Sequence, residues 1–430
     1  MKKLITIACL IGGGAIFADV ATVSNVSIEQ PTTSRKVTIK YKLSKPAVIT
    51  VDIQTNCGEN AWASIGAENF TTMWKDVNRL VKPAADGGFN EILWRPDKDW
   101  NGHKLDAGSV KAVVTAWAED ATPDYMAVSL TTQSGVFYYV SSNAVPGGVT
   151  DNRYKTDWLL MRKIPAAGVT WRMGISPADA DTYANLDKNT SRANAHLVQL
   201  SSDYYIGVYP ITQKQYALLG VKYRYFNGAN LVPSGAYAGD MKPAPYGDWA
   251  YIRGGDWPNS SEITDDDTAI AKLRALTGIE FELPTEAQWE FACRAGVGEC
   301  LYSGKSWNEA NLAAIAWNKV NSSSQFKDVG LLAPNAFGLY DMIGSVYEIC
   351  LDLYDNTFIV GDNGNAIVDP IGPKEVSKGE TRSPRVARGG SIDDTLSWCA
   401  SHIRTRLGAT DSWAPIYYGF RVVAPMGGKW

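Results

Sequence analysis

The sequence predicts two domains of different class, an all-β sandwich followed by a loop-rich α+β domain. Residues 19–145 contain short segments in which apolar and polar residues alternate, such as Val37–Leu43, with turn residues between them. This spacing is typical of a β-sandwich. From residue 157 to residue 430 the sequence is mixed, with few long periodic segments. Residues 146–156 contain Pro146 and two glycines and are the predicted linker.

The N-terminus has the residue order of a secretory signal peptide. Lys2 and Lys3 precede an apolar run from Leu4 to Phe17, and Ala18 is a small residue at the expected cleavage site. The run is too short to cross a bilayer, which needs about 20 residues. We therefore predict that residues 1–18 are a signal peptide and that the protein is secreted, periplasmic or on the cell surface. No later segment is a predicted transmembrane helix.

Charge and histidine content exclude two classes of function. The formal charge is −4 and becomes −6 when the two lysines of the signal peptide are removed. An acidic chain without a basic cluster lacks the surface that nucleic acids require, so we expect no nucleic-acid partner. The three histidines, His103, His196 and His402, are far apart in sequence. A histidine-rich zinc or iron centre is therefore not expected.

Cysteines are concentrated in the second predicted domain. Five follow the signal peptide, namely Cys57, Cys293, Cys300, Cys350 and Cys399. An odd number leaves at least one thiol unpaired in an oxidising compartment. We expect one or two disulfides in the second domain, since exported proteins commonly use them. For Cys399 we expect a disulfide to Cys293 or Cys350, or simple burial.

Two helices are predicted in the second domain. One covers Asp267–Thr277, with Gly278 placed to end it. The other covers Thr285–Arg294, where Thr285 and Gln288 have the spacing of a capping box. The aspartates at the start of the first helix are explained by the helix dipole better than by metal binding.

Four sequence blocks carry a family resemblance. They are Leu283–Gly296, Asn335–Glu348, Arg388–Ser391 and Tyr418–Val423. In this order they resemble the sulfatase-modifying factor family, which comprises the formylglycine-generating enzymes. The resemblance spans about Trp158–Val423 and implies a loop-rich, C-type-lectin-like α+β fold. Within the first domain, the segment from Trp94 to Gly108 resembles the last hairpin of bacterial immunoglobulin-like modules.

The segment Asp341–Glu348 is the predicted calcium site. Asp341 and Glu348 supply two carboxylates, and Gly344 allows the chain to curl so that carbonyl groups point inward. The resemblance implies structural calcium held by these two side chains and by the carbonyls of Gly344 and Val346. The alternative is a carboxylate pair held by hydrogen bonds. Asn311–Leu312 resembles the first part of a second family calcium site, whose acidic partner the sequence does not identify.

Catalysis by the family's mechanism is not expected. The resemblance implies a copper ion held by two thiolates, at positions that here are Asp394 and Cys399. A carboxylate cannot replace a thiolate on Cu(I), so copper is disfavoured. An aromatic pocket position, usually Trp in the family, is Tyr347. Cys399, Ser391 and Asp394 remain the catalytic candidates of an alternative function, a formylglycine-generating-type oxidase with a divergent site.

Residues 392–417 are the predicted ligand surface. In lectin-like relatives this stretch faces the ligand, and here it contains Asp393, Asp394, Trp398, Arg406, Trp413 and Tyr417. Aromatic and short polar side chains suit protein or glycan recognition. Arg388, Arg404 and Arg421 occupy positions that form internal salt bridges in the family. The sequence thus favours a calcium-stabilised binding or surface-display protein, with the oxidase and a self-assembling structural subunit as alternatives.

Overall fold

The computed structural model describes most of the chain after the predicted signal peptide. The described residues are 20–31, 33–58, 61–103, 108–131, 135–175, 195–223, 232–245, 248–355, 364–375, 384–407 and 415–426. The predicted signal peptide and Trp413 lie outside the described residues. The chain divides into two compact units, Met1–Ala127 with Gly135–Asp151 and Val128–Ser134 with Asn152–Trp430.

The first unit is built from antiparallel strands. They are β1 (Val23–Glu29), β2 (Val37–Leu43), β3 (Ala47–Gly58), β4 (Ala61–Ser64), β5 (Trp74–Lys75), β6 (Arg79–Val81), β7 (Asn90–Trp94), β8 (Val110–Trp117), the first part of β9 (Tyr125–Ser129) and β10 (Val136–Tyr139). A short helix, α1 (Pro96–Asp99), follows β7. One sheet has the order β1-β2-β7-β5. In the other, β8 pairs with one edge of β3, and β4 and β6 pair with the opposite edge.

Side-chain alternation along the strands forms the core of the first unit. In β2, Val37–Leu43, every second residue is buried and the residues between them are half-buried. Ile39 and Trp94 from one sheet share a buried cluster with Ile49 and Ile53 from the other. The inner faces of the two sheets therefore pack on each other, which confirms the predicted all-β sandwich.

The second unit combines short strands with short helices. Its remaining strands are β11 (Trp158–Ile164), β12 (Thr170–Met173), β13 (His196–Gln199), β14 (Tyr204–Gly207), β15 (Tyr347–Leu353), β16 (Ile367–Val368), β17 (Arg385–Arg388), β18 (Arg404–Leu407), β19 (Tyr418–Gly419) and β20 (Val423–Pro425). Its described α-helices are α2 (Gln213–Leu218), α3 (Trp249–Ile252), α4 (Ala269–Thr277), α5 (Glu286–Arg294) and α6 (Glu309–Ala313). The longest described helices have nine residues, and loops make up much of the remainder. This confirms the predicted loop-rich α+β class.

Three small sheets organise the second unit. β14 pairs antiparallel with β11 and β20. β13 lies between β12 and β16. In the third sheet, of order β18-β17-β15-β19, β15 pairs antiparallel with β17 and parallel with β19. This third sheet borders the predicted site, because Tyr347 and Glu348 begin β15, Arg388 ends β17 and Arg406 lies on β18.

The two predicted helices are confirmed to within two residues. Helix α4 begins after Thr268, whose side chain accepts a hydrogen bond from the Ala271 N–H, and it ends at Gly278 with φ of 71°. Helix α5 begins after Thr285, which forms a reciprocal capping box with Gln288. Such caps satisfy N–H groups that the helix itself leaves without partners. Within the described part of the chain, no helix is long and apolar enough to span a membrane.

Candidate functional site

The predicted calcium loop is a buried turn that leads into β15. Asp341 adopts a positive φ of 55°, and its Oδ2 accepts a hydrogen bond from the Gly330 N–H at 2.6 Å. Gly344 has φ of 75° and donates its N–H to the Gly389 carbonyl at 2.8 Å. A Cβ atom at Gly344 would lie 2.4 Å from the Trp317 carbonyl oxygen. Only glycine fits at this position of the loop.

The two carboxylates of the loop have different surroundings. Glu348 is buried, and its Oε1 and Oε2 accept hydrogen bonds from Arg421 at 2.8 to 3.2 Å. Its Oε2 also accepts a hydrogen bond from Trp289 Nε1 at 2.7 Å. Asp341 forms no ion pair with a described residue, and burial raises its pKa to about 6. Glu348 is therefore already neutralised, whereas Asp341 is a buried carboxylate without a directly bound cation.

The loop residues fit a calcium ion only in part. Asp341 fits, since a cation beside it would offset the cost of burying its charge. Glu348 would have to share its oxygens with Arg421 and Trp289. Within the described residues no three His, Cys, Asp or Glu side chains are grouped to hold a metal. Any calcium at this loop would therefore depend on the carbonyls of Gly344 and Val346.

The structure uses Asn311 and Leu312, the predicted second calcium residues, to build α6. The Asn311 N–H donates to Asn308 Oδ1 at 2.9 Å, and its side-chain amide donates to the Ser306 carbonyl at 2.8 Å. The Leu312 carbonyl accepts the N–H groups of Ile315 and Ala316, both at 2.9 Å. These bonds are typical of helix ends, and they use the N–H groups of Asn311 and not its Oδ1, so the second calcium site stays a prediction.

Ser391, Asp394 and Tyr347 form a hydrogen-bonded cluster at one of the two positions for which the resemblance implied a copper thiolate. Asp394 Oδ2 accepts the Ser391 N–H at 2.9 Å and also the Ser391 hydroxyl. The Tyr347 hydroxyl is a further hydrogen-bond partner of Asp394. Burial raises the pKa of the Asp394 carboxyl, and the bonds from Ser391 and Tyr347 oppose that increase. The cluster is a positioned carboxylate with hydroxyl donors, and it provides no second thiolate.

Cys399 lies directly behind this cluster. It is buried, and a Cβ atom at Gly390 would lie only 2.8 Å from its Sγ. Burial raises the pKa of the Cys399 thiol well above its usual range, and the charges of Asp394 and Glu309 raise it further. The thiol is therefore protonated at neutral pH in the absence of a metal ion, which makes it a poor nucleophile.

The expected disulfides are not formed. Cys57, Cys293, Cys300, Cys350 and Cys399 are all free thiols. The expectation that Cys399 pairs with Cys293 or Cys350 is therefore wrong, and simple burial describes it. Cys293 on α5, Cys350 on β15 and Cys399 all belong to the apolar core of the second unit. Apolar packing holds these three side chains in place, as is common for buried cysteines.

The predicted ligand surface is unevenly exposed. Asp393 and Arg406 are exposed, whereas Asp394, Trp398 and Tyr417 are half-buried. Asp393 Oδ1 lies 3.5 Å from Lys319 Nζ, so Asp393, which is adjacent to Asp394 in sequence, has a cation partner. One end of this surface forms part of a groove of about 360 Å³, which is lined by Trp307, Asn308, Glu309, Thr395, Leu396 and Ser397. The sequence analysis did not identify Trp307–Glu309, because nothing in the sequence places α6 beside residues 395–397.

The three family arginines form internal ion pairs, as predicted. Arg388 pairs with both Glu290 and Glu286, Arg404 Nη2 lies 2.8 Å from Glu286 Oε2, and Arg421 binds Glu348. Glu286 and Glu290 were not identified from the sequence. Their spacing of four residues places both on one face of α5, which was a usable signal.

Comparison with known proteins gives a family and several relatives. The model of the sulfatase-modifying factor enzyme 1-like domain matches residues 167–426. The chain is 30% identical over 210 residues to a formylglycine-generating enzyme of Streptomyces coelicolor, covering 43% of this chain and 60% of the relative. It is 30% identical over 156 residues to inactive C-alpha-formylglycine-generating enzyme 2 of Mus musculus, covering 34% and 43%.

Solved structures are also similar. Treponema denticola variable protein 1 has a TM-score of 0.44 and 24% identity, covering 62% of this chain and 95% of the other.

The chain spans about half the length of the curated relatives it matches.

Proposed function

We propose that this chain, which belongs to the family of sulfatase-modifying factor enzyme 1-like domains, is an exported binding or surface-display protein and not a copper oxidase. The signal-peptide pattern of residues 1–18 supports export. The first unit is then an immunoglobulin-like module that carries the second.

The observation that carries this proposal is the chemistry at Asp394 and Cys399. The Asp394 carboxylate is held by Ser391 and Tyr347, and the Cys399 thiol is buried with a raised pKa. Cu(I) selects soft thiolate ligands, so one cysteine beside a hard carboxylate is a poor site for it. The name of the mouse relative describes that protein as inactive, which is consistent with loss of catalysis within the family.

Ligand recognition is assigned to residues 392–417. Within this segment Asp393 and Arg406 are exposed and Trp398 and Tyr417 are half-buried, a mixture of charged and aromatic side chains that suits protein or glycan ligands. We further propose that calcium stabilises the loop at Asp341, where a cation would offset the burial of its charge. Self-assembly through the same surface is a further proposal, which light scattering of the purified protein would test.

Copper titration tests the loss of catalysis. Purified protein, a Cys399→Ala variant and a Cys57→Ala control would be titrated with Cu(I), following thiolate-to-copper absorbance. We expect no absorbance that depends on Cys399. Asp394→Cys serves as the positive control, because it restores the second thiolate. Copper binding that is lost in Cys399→Ala and retained in Cys57→Ala would contradict the proposal and favour an oxidase with a divergent site.

Thermal unfolding in calcium and in a chelator tests the calcium proposal. Calcium that binds only the folded protein raises Tm with concentration. The test variant is Asp341→Ala, since the side-chain amide oxygen of an asparagine would still bind calcium. We expect this increase in the unmodified protein and in the exposed control Asp266→Ala, and its loss in Asp341→Ala. An equal response in Asp341→Ala would place any calcium elsewhere.

A further inference from the structure

The groove at one end of the ligand surface combines an aromatic wall with a carboxylate. Trp307 and Leu396 are half-buried and pack on the apolar core. Asn308 caps α6 through its side chain, which fixes Glu309 at the first position of that helix. Glu309 Oε2 accepts a hydrogen bond from Asn318 Nδ2 at 3.0 Å. The side chain is thereby held in place, and its Oε1 accepts no hydrogen bond from a described residue.

The groove is negatively charged. Its lining, within the described residues, includes no lysine or arginine, and Glu309 forms no ion pair there. Asp393 and Asp394 immediately precede the lining residue Thr395, and only Asp393 has a lysine partner. The charges of Asp394 and Glu309 both raise the pKa of the Cys399 thiol, so the two carboxylates lie near the same buried group.

We infer that this groove binds a lysine side chain of a protein partner. The apolar stem of lysine would lie along Leu396 and Trp307, because such stems pack well on apolar surface. Its ammonium group would meet Glu309 and the hydroxyls of Thr395 and Ser397, with the Trp307 indole adding cation–π attraction. A neutral glycan would leave the groove charge without compensation. This inference rests on the proposed binding function and specifies the chemistry of the ligand.

Nuclear magnetic resonance of the tryptophan indole groups tests the inference directly. The Trp307 indole signal would be assigned with a Trp307→Phe variant. The probe is the peptide acetyl-Gly-Lys-Gly-amide, which has no α-amine. We expect a saturable shift of the Trp307 signal that weakens at high salt. The same peptide with an acetylated lysine is the neutral control, and we expect it to leave the signal in place.

Two variants localise the effect. Glu309→Gln preserves the shape of the side chain and should weaken binding about tenfold, as expected for loss of a charge-assisted hydrogen bond. Glu262→Gln removes an exposed carboxylate elsewhere in the second unit and should leave affinity unchanged. Equal binding of the acetylated peptide, unchanged affinity in Glu309→Gln, or no Trp307 shift would each overturn the inference. The comparison of the lysine peptide with the acetylated peptide uses the unmodified protein, so it tests the inference even if Glu309→Gln fails to fold.

Failure of this inference is distinguishable from failure of the proposed function. If the lysine peptide leaves the Trp307 signal unshifted while a glycan or protein binds at Arg406 or Tyr417, the lysine site is overturned and the binding function is supported. Copper bound through Cys399 would contradict the binding function, whatever the lysine peptide does.

Discussion

Arg421 and Glu348 form a bidentate ion pair in the interior of the second unit. Arg421 Nη2 lies 2.8 Å from Glu348 Oε1, and its Nε lies 3.0 Å from Oε2. The guanidinium also donates to the carbonyls of Gly207 and Tyr340, at 2.6 and 2.8 Å. One side chain thus connects β14, the residue that precedes the Asp341–Glu348 turn, and β15.

Replacing Arg421 should strongly destabilise the second unit. Arg421→Met leaves the Glu348 carboxylate buried without a cation, and breaking a buried pair in this way costs about 3–5 kcal/mol. The free energy of unfolding in urea measures the loss. The matched control is Lys272→Met, whose partner Asp267 has a side chain that is 88% exposed. That surface pair should contribute less than about 1 kcal/mol, and equal losses in the two variants would contradict the interpretation.

Gly344→Ala should be far more damaging than Gly220→Ala. The two glycines have nearly the same φ, 75° and 71°, so alanine is strained to a similar extent at each, by about 1–2 kcal/mol. At Gly220 a Cβ atom meets no other atom within 4 Å, whereas at Gly344 it lies 2.4 Å from a backbone oxygen. The unfolding free energy of Gly220→Ala measures the backbone strain alone, and the additional loss in Gly344→Ala measures the steric overlap. Similar values would mean that the loop can relax around the added methyl group.

Thiol labelling should distinguish Cys57 from the other described cysteines. Cys57 is exposed, and the remaining four are buried. Because alkylation needs an accessible thiolate, we expect iodoacetamide to label only Cys57 in the folded protein. The other four should react after unfolding in urea without reductant, since none is in a disulfide. Native labelling should vanish in Cys57→Ser, and rapid native reaction of Cys399 would contradict its burial.

Asp352 should make stability decrease as pH rises. Burial, together with the nearby Glu286, raises the pKa of Asp352 to about 7. The unfolded group titrates near 3.9, so between these values the folded state binds more protons than the unfolded state. The contribution of Asp352 is then fully present below pH 4 and is lost as pH approaches 7.

The comparison of Asp352→Asn with the unmodified protein isolates this group. From pH 5 to pH 7 the decrease in unfolding free energy should be smaller in the variant by about 2–3 kcal/mol. Asp341, whose pKa is also raised, titrates in both proteins and does not affect the difference. Asp266→Asn, at an exposed position, should reproduce the unmodified pH profile. Parallel profiles for Asp352→Asn and the unmodified protein would show that Asp352 is ionised throughout.

Local features of the fold were predictable where the sequence determines them directly. The alternation of Val37–Leu43 matched β2, and the Thr285–Gln288 capping box matched the start of α5. Both depend on neighbouring residues only. The loop-rich second unit was predicted through the family blocks, because its short strands pair over long sequence separations. β16, for example, has two residues and pairs with β13.

The site was predictable residue by residue but not in its contacts. The family resemblance identified Asp394, yet the bond from Tyr347 to Asp394 joins β15 to a distant turn. The disulfide expectation was wrong because spacing and compartment do not show whether two thiols meet in the core. Trp307 and Glu309 carried no local signal, since the groove exists only after α6 packs beside residues 395–397.

The last described strand determines when the second unit can finish folding. β20, Val423–Pro425, completes the sheet begun by β11 and β14, and the Glu282 N–H also bonds to the Val423 carbonyl. Ribosomal synthesis must therefore pass residue 425 before this unit can close, whereas all strands of the first unit are available some 280 residues earlier. Contacts so far apart in sequence slow folding and leave apolar surface exposed meanwhile. During synthesis the strands of the first unit are therefore complete long before the second unit has all of its strands.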